Sequence, residues 1–198
     1  MSHDVRERSR EILRAELADA AADFCAENGF DEVTVDEIAH GIGVSRATFF
    51  RYFGSKEDAI VTAVRVGRQD LPAVVRASTP APGTSLLDLI RGLLEPTVVA
   101  SRVAPARLRA RLRMVGVIPA LRGRLAADRA AHRNDLAQAI ADRGIADRAV
   151  ALSVALVALT ATELAWTLWA EDADADLGDC FDRSFELVQR AGGVSAAS

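Results

Sequence analysis

Lysine is almost missing from this 198-residue sequence: Lys56 stands alone beside 23 arginines, and the 24 cations face 28 aspartates and glutamates. With a formal net charge of -4, overall electrostatics give no reason to bind nucleic acid, so any such surface must be a local patch. Cysteine is scarce as well. Cys25 and Cys180 lie far apart with no CxxC, and His3, His40 and His132 are scattered. That excludes a disulfide framework or a zinc site, suits a reducing cytosol, and leaves no metal or cofactor to expect. No glycine-rich nucleotide loop and no Ser/His/Asp or Cys/His set in recognisable context is present, so an enzyme has little to stand on. The start of the chain, charged from Asp4 to Arg10, has no apolar signal-peptide core, and the expected location is the cytoplasm. Aromatics make up only 5%, and no stretch shows the alternation of a half-buried strand.

What is abundant is alanine, leucine and arginine, which favours an all-α chain. A first helix is expected over about Val5 to Asn28, with Leu13, Leu17, Ala20, Ala21 and Phe24 at three- and four-residue steps and Asn28-Gly29 as its stop. Thr34 opens a short helix with Glu37 in a capping-box position. Gly41-Ile42-Gly43 breaks it. Ser45 caps a third helix, SRATFFRYF, and Gly54-Ser55 ends that one and caps a fourth, expected to run from Lys56 to about Val75 with Pro72 near its end. The stretch from Ala77 to Thr84, ASTPAPGT, is the best linker in the chain. Beyond it the patterns predict helices over Ser85–Ser101 (bent at Pro96), Ala106–Val115, Pro119 to Gly144, one capped by Asp147, and Asp176–Ala191. The closing GGVSAAS is expected to fray.

The run from Ala149 to Ala170 is long enough to span a bilayer and holds one charge, Glu163. Ser153, Thr160, Thr162 and Thr167 dilute it, and a helix apolar nearly all round is also what a buried or dimer-forming helix looks like. A membrane-associated protein is the lesser reading.

The segment from Thr34 to Tyr52 has the layout of a helix-turn-helix. Ala39 is small where two helices approach, and Gly43 permits the tight turn. Ile38, Ile42, Val44 and Phe49 would share a core, leaving Arg46, Thr48, Phe50, Arg51 and Tyr52 outward or at the margins. From Ser45 to Lys56 there are three cations and no acid, while the preceding helices are acid-rich, which focuses positive field on one short helix.

These residues, read as VTVDEIAHGIGVSRATFFRYFGSKEDAI, closely resemble the DNA-binding head of TetR-family repressors. The resemblance covers roughly the first sixty residues, including the Asn28-Gly29-Phe30 turn. It implies a three-helix helix-turn-helix domain over 1–55 and a helical ligand-binding and dimerisation domain over 56–198. It further implies a ligand-released repressor that binds a pseudo-palindromic operator as a homodimer and is not an enzyme. Arg46 and Thr48 are then the residues for base edges. Ser45, Arg51, Tyr52 and Lys56 are placed for phosphates, with Thr34 offering its hydroxyl from the preceding helix. Many family members carry Tyr at the position of Phe50, so one backbone contact is missing here, and Tyr52 and Lys56 take over more of that role.

In the helical body, the resemblance implies a small-molecule pocket and a dimer interface. Arg109, Arg113, Met114, Trp166 and Trp169 are the candidate ligand residues. Val154, Val157, Ala161, Ala165, Leu168, Phe181 and Phe185 are the candidate dimer residues. Nine arginines between Arg102 and Arg133 face one acid, Asp128. Such a run is either a solvated basic face or a seat for an anionic head group. The Phe49-Phe50-Arg51-Tyr52-Phe53 stretch resembles an acyl-CoA-sensing or mycofactocin-type branch of the family, so the expected effector is apolar or amphipathic. An architectural DNA binder without an effector is the other reading.

Overall fold

The computed structural model describes residues 2–65 and 70–191, and within them the chain is helical throughout. GGVSAAS lies outside the described residues. Ten helices follow in order: α1 Ser2–Asn28, α2 Val35–Gly41, α3 Arg46–Tyr52, α4 Lys56–Val64, α5 Leu71–Ala77, α6 Leu86–Ser101, α7 Pro105–Val117, α8 Pro119–Asp142, α9 Arg148–Glu171 and α10 Leu177–Ala191. Most of the starts are set by local chemistry. Thr34, Ser45, Ser55, Asp70, Ser85 and Asp147 each accept a hydrogen bond from the amide three residues on, satisfying a donor the helix cannot use internally.

The expected single helix from Lys56 to Val75 is not formed. Helix α4 ends at Val64, because Arg65 leaves helical geometry with ψ 117°. Asp70 then caps a separate helix in which Pro72 lies in the first turn. A proline there costs no hydrogen bond, so Pro72 marks a beginning rather than an end. The remainder of the expected helix, residues 66–69, lies outside the described residues.

The chain forms two compact units. The first comprises residues 1–65 together with Ala106–Ala126, and the second 66–105 together with Ala127–Ser198. The helix-turn-helix therefore shares its unit with α7 and the first turns of α8. Leu17, Ala21 and Cys25 of α1, Ile38 and Ala39 of α2, Phe49 and Phe53 around α3, and Ile60 and Val64 of α4 form its core, which Val115, Leu121 and Leu125 complete. In the second unit α9 packs chiefly on α10 and also on α6, and α5 packs on α6. Helix α9 is long and apolar enough to cross a membrane. Its alanine seam (Ala151, Ala155, Ala158, Ala161, Ala165) and both tryptophans are nonetheless buried inside this unit, the environment of a core helix.

Candidate nucleic-acid interface

Two short helices and a tight turn build the site. In α2, the Thr34 hydroxyl accepts from the Glu37 amide at 3.3 Å and donates to Glu37 Oε2 at 2.8 Å, while the Thr34 amide donates to the same carboxylate oxygen at 2.8 Å. Those bonds hold the Glu37 carboxyl below its ordinary range, the Thr34 amide first and the hydroxyl second. Gly43 takes φ +75° in the turn, a conformation an L side chain resists. Gly41 serves a second need, since a Cβ there would stand 2.6 Å from Cδ2 of Phe24 on α1.

Helix α3 is anchored through Phe49, fully buried, and Phe53 just beyond its end, with ring centroids 5.2 Å apart. Four-residue spacing puts both on one face, so the opposite face must point outward. Arg46, Phe50 and Arg51 are exposed, and Thr48 and Tyr52 are half-buried. Arg46 Nη1 donates to Asp36 Oδ1 at 2.6 Å, and its guanidinium lies 5.0 Å from the Phe50 ring centroid. Phe50, which lacks the hydroxyl of the family pattern, thus carries the arginine on its ring. Arg51 lies 5.1 Å from the Tyr52 ring. Ser45 Oγ donates to Thr48 Oγ1 at 3.0 Å, which leaves the Thr48 proton available outward.

Lys56 is tied to the loop before α2. Its ammonium donates to the carbonyls of Phe30 and Val33 at 2.7 and 3.1 Å and lies 4.3 Å from the Phe30 ring. Two of its three donors tie the start of α4 to the loop before α2, leaving one for anything else. Behind it, Asp58 accepts from Arg124 Nη2 at 2.8 Å and from the Gly54 amide at 3.1 Å. Burial pushes the Asp58 carboxyl up, but the Arg124 and Gly54 hydrogen bonds and the charges of Arg124 and Arg14 outweigh it and hold it below the ordinary range.

The arginine-rich stretch does not form a free basic face. Arg111 is nearly buried and bonds Asp19 Oδ1 at 2.6 Å, the Asp19 carbonyl at 3.0 Å, and Asp23 Oδ1 through both Nε and Nη2. Arg107 also pairs with Asp23, Arg102 with Asp176, Arg124 with Asp58 and Arg129 with Glu163. Five of the nine arginines are thereby matched by carboxylates distant in sequence.

Several residues assigned to ligand or partner fill internal cores. Met114 packs against the core of the first unit, on whose α7 Arg109 is half-buried and Arg113 exposed. Trp166 and Trp169 are buried in the second, Trp166 edge-on to Phe181 at 6.4 Å. Ala161 and Ala165 of α9 and Phe181 and Phe185 of α10 are buried within a single chain, on two helices that pack together. Periodicity cannot separate such packing from an interface. Val154, Val157 and Leu168 remain half-buried, next to exposed Val150 and Leu156. Cys25 is buried and its thiol pushed up to about 11, mainly by desolvation, which makes it unreactive. Among the described residues no cluster of three or more His, Cys, Asp or Glu could hold a metal.

Comparison with known proteins places this geometry. A family model described as "Bacterial regulatory proteins, tetR family" matches residues 17–62, and one described as "MftR C-terminal domain" matches residues 84–192. The HTH-type transcriptional regulator BetI of Brucella canis is 40% identical over 74 residues, 35% of this chain and 37% of BetI. A Mycobacterium tuberculosis protein, provisionally named mycofactocin biosynthesis transcriptional regulator MftR, is 40% identical over 57 residues, 28% of this chain and 29% of that protein. The match thus spans only about a third of the length of these relatives, 37% of one and 29% of the other. Among solved structures, FadR of Bacillus subtilis in complex with stearoyl-CoA aligns with a TM-score of 0.50 at 19% identity, covering 90% of this chain and 98% of that one. The fatty acid degradation regulator FadR of Bacillus halodurans gives 0.50 and 19%, with 88% and 93% covered. Those two likenesses are of fold.

Proposed function

The chain belongs to the TetR family of bacterial regulatory proteins, and we propose that it is a ligand-released repressor that binds a pseudo-palindromic operator as a homodimer. Its relatives are DNA-binding transcriptional regulators, not enzymes. The observation that carries the finer reading is the outward face of α3, where an exposed arginine is laid on an aromatic ring above a fully buried phenylalanine anchor. That arrangement presents a pre-oriented guanidinium for the N7 and O6 acceptors of guanine in a major groove. Thr48 supplies a second contact to a base edge. Ser45, Arg51 and Tyr52 serve phosphates, which fix register without reading sequence. Thr34 and Lys56 act mainly by holding α2 and α4 in place, Lys56 with one donor left for the backbone.

Two copies bring two such helices to half-sites about one turn apart. The outer face of α9, with Val150, Val154, Leu156, Val157 and Leu168, together with exposed Leu187 of α10, supplies the apolar surface for that pairing. The effector is a small apolar or amphipathic molecule acting from the cytoplasm. Long-chain acyl-CoA is the first to test, since FadR of Bacillus subtilis was solved with stearoyl-CoA. Release requires the effector to bind a DNA-incompetent conformation more tightly than the competent one. Helix α7 offers a route, because it falls in the C-terminal family match yet is held to α1 inside the head unit by Arg111.

The test is a mobility-shift titration with and without acyl-CoA on an operator selected from genomic DNA. Release at micromolar acyl-CoA supports the effector class. Unchanged binding with every ligand of a broad apolar panel would favour an architectural DNA binder.

A further inference from the structure

Between α1 and the last residue of α3 runs an open groove of about 520 Å³, lined by Arg6, Glu7, Arg10, Glu11 and Arg14 of α1 and by Tyr52. Arg6, Arg10 and Arg14 recur every four residues, so they share one face of α1, about 6 Å apart along its axis. Arg14 is committed to structure. Its Nε donates to the Tyr52 carbonyl at 3.2 Å and its Nη2 to Thr62 Oγ1 at 3.1 Å, with Asp58 at 3.7 Å. It fixes the end of α3 against α1 and α4 and so sets the floor of the groove. Arg6 and Arg10 are exposed, and among the described residues neither has an ion-pair or hydrogen-bond partner. Arg51 lies against the Tyr52 ring, adding a further guanidinium at that edge. Glu7 and Glu11 flank the arginine row and bring two negative charges to the groove.

We propose that Arg6 and Arg10 of α1 extend the phosphate contacts of Arg51 and the Tyr52 hydroxyl into a clamp along the sugar-phosphate backbone of DNA, flanking the base-reading face. The proposal rests on the reading of α3 as the DNA-reading helix. Guanidiniums a helical turn apart suit successive phosphates of one strand better than a single small anion. The clamp also accounts for a departure at Phe50. Without a hydroxyl there, and with the Lys56 ammonium largely turned inward, the grip on the backbone moves to α1 and to Tyr52. Glu7 and Glu11 limit how tightly the clamp holds DNA of any sequence.

The experiment compares the full-length protein with an Arg6→Gln, Arg10→Gln double variant in binding titrations from low to high salt, on the selected operator and on random DNA. In the homodimer the double variant neutralises four phosphates fewer, which lowers the slope of log affinity against log salt by about 4. At physiological salt both DNAs should bind roughly tenfold or more weaker, with their ratio preserved. The Arg6→Lys, Arg10→Lys double variant restores the slope. Tyr52→Phe removes only the hydroxyl, and is expected to weaken both DNAs several-fold with the slope unchanged. The arginines are exposed, and an unchanged far-UV spectrum and melting temperature verify folding. A slope unaltered by the double substitution, in a protein that still prefers its operator, would overturn the clamp and leave the regulator reading intact. A wild-type protein with no sequence preference across the genome would overturn both.

Discussion

Asp36 and Arg46, ten residues apart on α2 and α3, pair at 2.6 Å across the turn, with side chains 64% and 61% exposed. The arginine best placed to read a base is therefore occupied in the free protein by an acid from the neighbouring helix. An exposed pair is worth at most about 1 kcal/mol to folding, so its consequence lies in binding. It holds the guanidinium on the Phe50 ring and sets a negative charge beside the approaching phosphates.

Arg46→Ala should weaken operator binding by about 1–3 kcal/mol and relax base preference. Asp36→Asn should act oppositely on non-specific DNA, strengthening binding to all sequences and narrowing the operator-to-random ratio. Competition titrations of the two variants check both directions. Thermal stability should change little in either.

Arg111 predicts a structural rather than a functional loss. Its side chain is 8% exposed and serves Asp19 and Asp23 together. Removing one partner of a buried ionic cluster strands the others, so Arg111→Met should cost about 3 kcal/mol in urea unfolding. Arg111→Lys should recover only part of that, because a single ammonium cannot reproduce the planar fork that meets both carboxylates.

The turn glycines should fail for different reasons. Gly43→Ala meets nothing within 4 Å but must adopt φ +75°, a strain of roughly 1–2 kcal/mol. Gly41→Ala has no such backbone demand and drives a methyl group into the Phe24 ring, an overpacking cost of about 1–3 kcal/mol. Phe24→Leu combined with Gly41→Ala should therefore recover stability, whereas Phe24→Leu should not help Gly43→Ala. Double-mutant unfolding measurements separate the two.

Asp58 gives a pH dependence. Its folded carboxyl titrates below its ordinary value, so the unfolded chain binds the proton more readily. The stabilisation is complete above the unfolded value of about 3.9 and is lost as pH falls through the lower folded value. Acid unfolding followed by circular dichroism should show a limb below about pH 4 that Asp58→Asn flattens.

Helix starts were legible because their chemistry is local: Thr34 with Glu37, Ser45 with Thr48 and Asp147 with Val150 are each three residues apart. The helix-turn-helix was legible for the same reason, as a contiguous run with its own turn. Pro72 misled, since a proline near a helix end and one at a helix start look alike until the cap at Asp70 is placed. The arginine run looked like a basic face because its acids, at positions 19, 23, 58, 163 and 176, lie far off in sequence. Asp36 escaped notice because its pairing with Arg46 depends on the crossing of two helices. Ala161, Phe181 and their neighbours carry the periodicity of any apolar face, which is silent on whether the partner is the same chain or another.

Binding of the purified full-length protein to the DNA flanking its own gene, followed by mobility shift across a salt series, tests the regulator reading at its root. A discrete complex that survives excess random competitor and weakens steeply with salt is the expected result, with Arg46→Ala losing the preference for operator. Equal affinity for flanking and random DNA, repeated in a genome-wide selection with the same protein, would contradict it.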